Sequence, residues 1–286
     1  MKKILILGAD GMAGHVMAEY LSHERGYEVF RCDLNPLLPG TRRLDVTEFA
    51  KLGEFARGMR PDVVINCVGL LVKASQERPD CAILINSYLP HFLSRLGREL
   101  GSRLVHISTD CVFSGNRGGY SEEDFRDGDT PYARTKALGE VVNGVDLTLR
   151  TSIVGPELKP AGSGLLHWFL TQKGTVKGYT RTYWSGVTTL ELARAAEYCI
   201  RTGYSGLVNL TMKEKISKHD LLVLFREIWG RNEISIVGEN GPENDRSLVC
   251  ARGDFAFKLQ SGYRGMLADM RDFMGRHPEW YGHYTM

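Results

Sequence analysis

Short aliphatic runs alternate along the first half of the chain with stretches in which apolar residues return every three or four positions. The runs Lys3 to Leu7, Glu28 to Cys32, Val63 to Asn66 and Leu104 to Ser108 have the continuous character of strands covered on both faces of a parallel sheet. A shorter strand is expected to end at Asp45, just before Val46. Between them, Met12, Val16, Met17, Tyr20 and Leu21 share one helical face, and a longer helix is predicted from Cys81 to Leu100, kinked at Pro90 and closed by Gly101. Strand and helix in strict alternation specify an α/β fold with a doubly wound parallel sheet.

Past Ile153 the pattern changes. A segment rich in glycine and proline surrounds the apolar run Leu165 to Leu170, and helical periodicity resumes from Thr189 to Cys199. The expected organisation is a nucleotide-binding domain over residues 1–153, with 184–202 returning to it. Residues 154–183 and 203–286 form a smaller C-terminal substrate-binding lobe. Within that lobe Ser217 suits the N-cap of a helix from Lys218 to Trp229, Ile234 to Val237 reads as a strand, and Met266, Leu267, Met270, Phe273 and Met274 form a packing stripe.

Two stretches carry candidate chemistry. The first is Gly8-Ala9-Asp10-Gly11-Met12-Ala13-Gly14, placed at the turn from the first strand into the first helix. Glycines there permit a positive φ, close approach of backbone to a pyrophosphate and tight packing of helix on strand. The helix N-terminus then directs free amides at the phosphates, which points to a Rossmann-like site for a dinucleotide. Asp33, ending the second strand, suits ribose hydroxyls. Arg31 beside it, with Arg42 and Arg43, suits a 2′-phosphate, so NAD(H) and NADP(H) both remain open. Asp45 and Val46 are candidates for the adenine, and Cys67, Val68 and Gly69 form a small-residue turn able to pass under the cofactor.

The second stretch holds Ser108-Thr109-Asp110 and Pro131-Tyr132-Ala133-Arg134-Thr135-Lys136. If Pro131 opens a helix, Tyr132 and Lys136 lie on one face, one turn apart. An ammonium near a phenol favours the phenolate, so Tyr132 is expected to exchange a proton with a substrate oxygen, its pKa lowered by Lys136, with Thr109 holding the same oxygen. The spacing alone is a weak motif; its weight comes from the strand, turn and helix that precede it.

Taken together, Gly8xxGly11xxGly14, Asn66-Cys67-Val68-Gly69, the run Val105 to Gly115 and Tyr132xxxLys136 resemble the extended short-chain dehydrogenase/reductases, and within them the dTDP-4-dehydrorhamnose reductase group. The resemblance implies reduction of the 4-keto group of a nucleotide-linked deoxysugar by NAD(P)H, with a lean to NADP(H). It also implies catalytic roles for Thr109, Tyr132 and Lys136 and a nicotinamide passing Thr151 and Ser152. Cys111 departs from the Tyr common in relatives; it also disfavours a 4,6-dehydratase, which needs an acidic residue there. An epimerase, and a regulatory subunit like those that assist methionine adenosyltransferase, remain alternatives.

Composition narrows the partners. The 286 residues are 43% hydrophobic and carry a formal net charge of +2, too mild to argue for nucleic acid or an acidic membrane surface. No apolar run is long enough to span a bilayer. Six scattered cysteines, Cys32, Cys67, Cys81, Cys111, Cys199 and Cys250, fit reduced thiols in a cytoplasm better than a disulfide frame or metal site. A small nucleotide-sugar is the expected partner, and a homodimer is left open. Arg246 in Asp245-Arg246-Ser247 is a candidate for the diphosphate, and Tyr183 and Trp184 are candidates for lying beside the sugar.

Overall fold

The computed structural model describes residues 1–24, 26–259 and 262–284. Its centre is a parallel sheet of seven strands: β1 (Lys2–Leu7), β2 (Tyr27–Asp33), β3 (Thr41–Arg43), β4 (Val63–Asn66), β5 (Arg103–Thr109), β6 (Leu147–Thr151) and β7 (Gly206–Asn209), in the order β3-β2-β1-β4-β5-β6-β7. The order reverses between β1 and β4, the place where ligands sit in open α/β sheets, outside the carboxyl ends of the strands.

Strand pleating sorts the core into two layers. Ile4 and Ile6 face one way and join Val16 and Met17 of α1 (Met12–His23), and Leu192, Ala195 and Ala196 of a helix over Thr189–Thr202. Leu5 and Leu7 face the other way, against Leu52 and Ala56 of α2 (Phe49–Met59) and Phe92, Leu93 and Leu96 of α3 (Leu89–Leu100). Alternation of side chains along a strand forces this division. The helix α4 (Pro131–Leu138) stands over the carboxyl end of β5; Thr189–Thr202 is α5, followed by α6 (Lys218–Ile228) and α7 (Gly262–Arg276).

Three expectations need correction. The expected boundary at residue 203 falls inside the sheet, because Gly206–Asn209 pairs in parallel with β6; four residues are too few to show a period. β3 ends at Arg43 rather than Asp45. The Asp45 carboxylate turns back to accept from the Thr47 amide at 2.8 Å and hydroxyl at 2.7 Å, a local bond that competes with strand pairing. The helix expected from Cys81 to Leu100 is three pieces, α-helical at Pro79–Ala82, π-helical at Ile83–Tyr88 and then α3. Pro90 has no N–H for the Asn86 carbonyl, and the Leu89 N–H reaches back five residues to Leu84. Gly139 closes against that carbonyl so tightly that a Cβ would overlap it.

Short strands outside the main sheet pair among themselves, and Leu166, Phe169, Leu221 and Phe225 from this part of the chain join the same core as Ile4 and Ile6. Thr182–Trp184 pairs with Ile216–Ser217 and Asn244–Asp245, and Thr175–Tyr179 pairs with Ser235–Glu239. Ser217 caps α6 through the Asp220 amide at 3.0 Å, as its position predicts.

Candidate active site

The glycine turn divides its work among three residues. Gly8 has φ +74°, and a Cβ there would lie 3.1 Å from Val68. A Cβ on Gly14 would overlap the Gly8 carbonyl, so α1 rests directly on the strand end. Gly11 is exposed and meets only the Gly8 oxygen, at 3.3 Å. It is the N-cap of α1, and no side chain caps the helix, leaving the Met12 end of α1 with amides free for an anion. The glycines and the uncapped helix fit a dinucleotide pyrophosphate.

Asp10, unremarked among the glycines, is buried and accepts from the amides of Leu37 (2.6 Å) and Leu38 (3.1 Å) and from the Thr41 hydroxyl (2.8 Å). It ties the turn to the β2–β3 connection. Asp33 accepts from the Asp10 amide at 3.1 Å and the Asn35 amide at 3.0 Å, so its carboxylate is fixed at the strand end. The neighbouring arginines part company. Arg31 is turned onto α1 and paired with Glu19 at 3.0 Å, against the expectation that it faces the cofactor. Arg42 lies over the Phe55 ring, 4.7 Å from its centroid, on the opposite face. Arg43 is in register with Asp33 and exposed, with no ion pair among the described residues. Arg43, Leu34, Asp45 and Lys51 line a cleft of about 750 Å³; Val46 is buried beneath the edge.

On the other side of β1, the Val68 amide donates to Asn66 at 3.1 Å, and the Leu70 amide donates to Asn86 at 2.8 Å. The π-helical turn that carries Asn86 thus holds the 67–70 turn in place beside Gly8. Burial pushes the Cys67 thiol up to about 12, so it is a packed thiol. Thr151 is buried, and Ser152 accepts the Val187 amide through its carbonyl at 2.9 Å.

Tyr132 and Lys136 are brought together by α4, whose start is set by Pro131 at its first turn and by Thr130, which accepts the Ala133 amide at 3.1 Å. The Thr109 hydroxyl opposes the rise in the pKa of the phenol and itself donates to Asp110 at 3.2 Å. Thr109 also accepts the Cys111 amide at 3.1 Å. The expectation that Lys136 lowers the phenol pKa is corrected by the geometry. Burial raises the Tyr132 phenol above its ordinary value, and Cys111 and Asp110 push it the same way. Lys136 donates instead to the Ile107 carbonyl at 2.8 Å and lies 3.5 Å from His106 Nε2. Burial brings the Lys136 ammonium down to about 8, with Glu140 opposing. His106, whose Nδ1 is 3.2 Å from the Asn66 amide nitrogen, is held well below its ordinary value, first by burial and then by the Lys136 charge.

Beneath Lys136 lies a fully buried ion pair. Glu140 Oε1 accepts from Arg150 Nε and from the Ser108 hydroxyl, and Oε2 accepts from Arg150 Nη2, each at 2.7 Å; Arg126 adds 2.9 Å. Burial alone would raise the Glu140 carboxyl, but Arg150, Ser108 and Arg126 hold it below the usual range. Arg150 also reaches Asn209 at 3.2 Å and the Ser121 carbonyl at 3.3 Å, and lies over the Phe113 ring at 5.0 Å. This pair joins α4 to β5, β6 and β7. An arginine inside the run Leu147-Thr148-Leu149-Arg150 was its sequence signal, since a buried charge demands a partner.

The remaining candidates separate. Arg246 donates to the Phe113 carbonyl at 3.0 Å and, with Lys218, acts on the partly exposed Asp110, whose carboxyl is raised chiefly by desolvation. Cys111 is pushed up to about 11 by burial. Trp184 is buried against Tyr263, 5.6 Å between ring centroids, and packs rather than faces a ligand. Tyr183 is partly exposed beneath Lys215, whose ammonium is 4.4 Å from its ring centroid.

Comparison with known proteins adds three findings. The family profile described as the RmlD substrate binding domain matches residues 1–155. The dTDP-4-dehydrorhamnose reductase of Streptomyces griseus is 33% identical over 138 residues, 48% of this chain and 43% of that protein; the chain spans about half the length of the curated relatives it matches. Among solved structures, a hypothetical dTDP-4-dehydrorhamnose reductase from Sulfolobus tokodaii has a TM-score of 0.77 at 27% identity, covering 91% of this chain and 96% of that one. The Bacillus anthracis dTDP-4-dehydrorhamnose reductase in complex with NADP has a TM-score of 0.81 at 18% identity, covering 96% and 99%, and at that identity supports the fold alone.

The Lys136 environment yields a stability prediction. Its folded value, near 8, is below the 10.5 of a free lysine, so burying the charge costs stability below pH 8, on the order of 3 kcal/mol. That cost disappears as pH rises past the unfolded value. Lys136→Met is expected to be at least as stable as the wild type in urea at pH 7, with its advantage shrinking by pH 10; a Met variant clearly weaker at pH 7 would contradict the assigned cost.

Proposed function

Because the chain belongs to the RmlD substrate binding domain family, within the extended short-chain dehydrogenase/reductases, we propose that it reduces the 4-keto group of a nucleotide-linked deoxysugar with NADPH. The observation that carries this reading is the placement of Tyr132 and Lys136 one turn apart on α4, with Thr109 at the end of β5, at the same sheet edge as the glycine turn. The similarity to reductases of dTDP-4-dehydrorhamnose supports the substrate class.

A bound nicotinamide supplies the hydride that reaches the ketone carbon. The protein's part begins with Tyr132, whose phenol is held in its protonated form and would give that proton to the ketone oxygen as the hydride arrives. The Thr109 hydroxyl orients that oxygen. Lys136, one helical turn further on and cationic below about pH 8, would offset the charge left on the phenolate, and to meet the nicotinamide ribose it would have to leave the Ile107 carbonyl. Gly8, Gly11, Met12 and Gly14 hold the pyrophosphate, Asp33 the adenosine ribose, and Asp45 and Val46 the adenine end. Cys67, Val68, Gly69, Thr151 and Ser152 border the nicotinamide half. Arg246 and Lys218, both acting on Asp110 beside the phenol, supply positive charge for the diphosphate of the sugar nucleotide. Residues 154–183, with the chain after β7, make up the substrate lobe.

The direct test is a panel of nucleotide-4-ketosugars assayed for oxidation of NADPH and NADH. On the substrate so found, Tyr132→Phe is expected to lower turnover by about 10² to 10⁴ while the dinucleotide still binds; near-normal turnover would remove Tyr132 from its role.

Cofactor choice rests on Arg43, which is in register with Asp33 and has no ion pair among the described residues. Arg43→Ala is expected to weaken NADPH by about tenfold or more and NADH by less than about threefold, since only NADPH offers a 2′-phosphate to a guanidinium. Arg31→Ala, which releases Glu19 and the Ser22 hydroxyl on α1, is expected to affect the two alike. Calorimetric titration with each dinucleotide decides it, and a larger NADPH loss from Arg31→Ala than from Arg43→Ala would reverse the assignment.

A further inference from the structure

The segment after α7, residues 277–284, sets one phenol, Tyr281, on His15 of α1 and another, Tyr284, on His167 and the 157–164 loop. Tyr281 and His15 are both fully buried, with the Tyr281 hydroxyl 2.7 Å from His15 Nε2. His15 Nδ1 lies 2.8 Å from the Gly11 carbonyl, which can only accept. The proton therefore sits on Nδ1, and Nε2 accepts from Tyr281. Burial brings the His15 imidazole down to about 4, in keeping with this neutral tautomer. The Gly11 carbonyl, which also accepts the His15 amide at 3.1 Å, is thus aimed by a chain running from the C-terminal segment. Peptide planarity makes the Met12 N–H point the opposite way from the Gly11 C=O, toward the uncapped end of α1.

Tyr284 secures the other side by the same logic. His167 Nε2 accepts the Gly162 amide at 3.1 Å, so Nδ1 donates to the Tyr284 hydroxyl at 2.8 Å. That hydroxyl also accepts the Glu157 amide at 3.0 Å. Glu157 Oε1 in turn accepts the amides of Ser163 (2.8 Å) and Gly164 (2.5 Å). The loop so folded presses on Met12: a Cβ on Gly164 would come within 2.9 Å of the Met12 sulfur.

We propose that Tyr281, acting through His15, is a positioning residue for the diphosphate of the dinucleotide, with residues 277–284 serving as a strap across the glycine turn and the 157–164 loop. The inference rests on the cofactor reading above. Tyr281→Phe keeps the ring and removes only the hydroxyl. It is expected to weaken NADPH by about 5- to 20-fold, the effect of one buried hydrogen bond, with an unchanged far-ultraviolet spectrum. His15→Phe is expected to act in the same way, and the double variant to be no weaker than the worse single one, because the two side chains act in series.

General loosening is separated by Leu96→Ala, a core change on α3 in the layer on the other face of the sheet, which is expected to lower the melting temperature and bind NADPH as the wild type does. The proposal is overturned if Tyr281→Phe binds within twofold of wild type, if the two losses add, or if Leu96→Ala weakens NADPH as much. A wild-type protein that binds neither NADPH nor NADH would overturn the cofactor reading itself, and the strap with it.

Discussion

The buried pair of Glu140 and Arg150 is the constraint on which the placement of the candidate site depends. α4 has eight residues, too few to hold its shape unaided, yet it carries both Tyr132 and Lys136. Three attachments fix it. Thr130 caps its start, Ser87 donates to the Thr135 carbonyl at 2.8 Å, and Glu140 just past its end is locked to β6 through two 2.7 Å bonds from Arg150. Taking both charges out of water costs several kcal/mol each unless geometry and hydrogen bonding are nearly complete. Ser108, Arg126, Asn209 and the Ser121 carbonyl complete them. Ser108 precedes Thr109, and Arg150 precedes Thr151, so one network sets the heights of the hydroxyl, the phenol and the ammonium.

Burial then decides the chemistry more than pair spacing does. Four residues of separation put Lys136 on the face of Tyr132, but the ammonium turns inward to Ile107 and His106. The phenol is raised rather than lowered, and the lysine is brought down. A protonated phenol has a proton to give, the part proposed for Tyr132 in the reduction.

The sheet, the glycine turn and the shared helix of Tyr132 and Lys136 were legible because each depends on local pattern: aliphatic runs, small residues at a strand-to-helix turn, one helical turn of spacing. What was not legible depends on partners far along the chain. Arg31 and Arg43 are alike in sequence, and only Glu19 on α1 separates them. Arg150 stood out in its strand, but nothing local names Glu140. β7 was hidden by its brevity. The C-terminal tyrosines gave no periodic signal, since their partners, His15 and His167, lie 266 and 117 residues away.

The central claim, that the Glu140–Arg150 pair anchors the helix carrying the proton donor, is tested most directly by equilibrium unfolding of Arg150→Met beside Glu140→Leu/Arg150→Met. Breaking one side of a buried pair strands the other charge, whereas replacing both with apolar groups does not. The account predicts a loss of about 3 to 5 kcal/mol for the single variant and recovery of most of it in the double. A single variant within about 1 kcal/mol of wild type, or a double variant no better than the single, would contradict it.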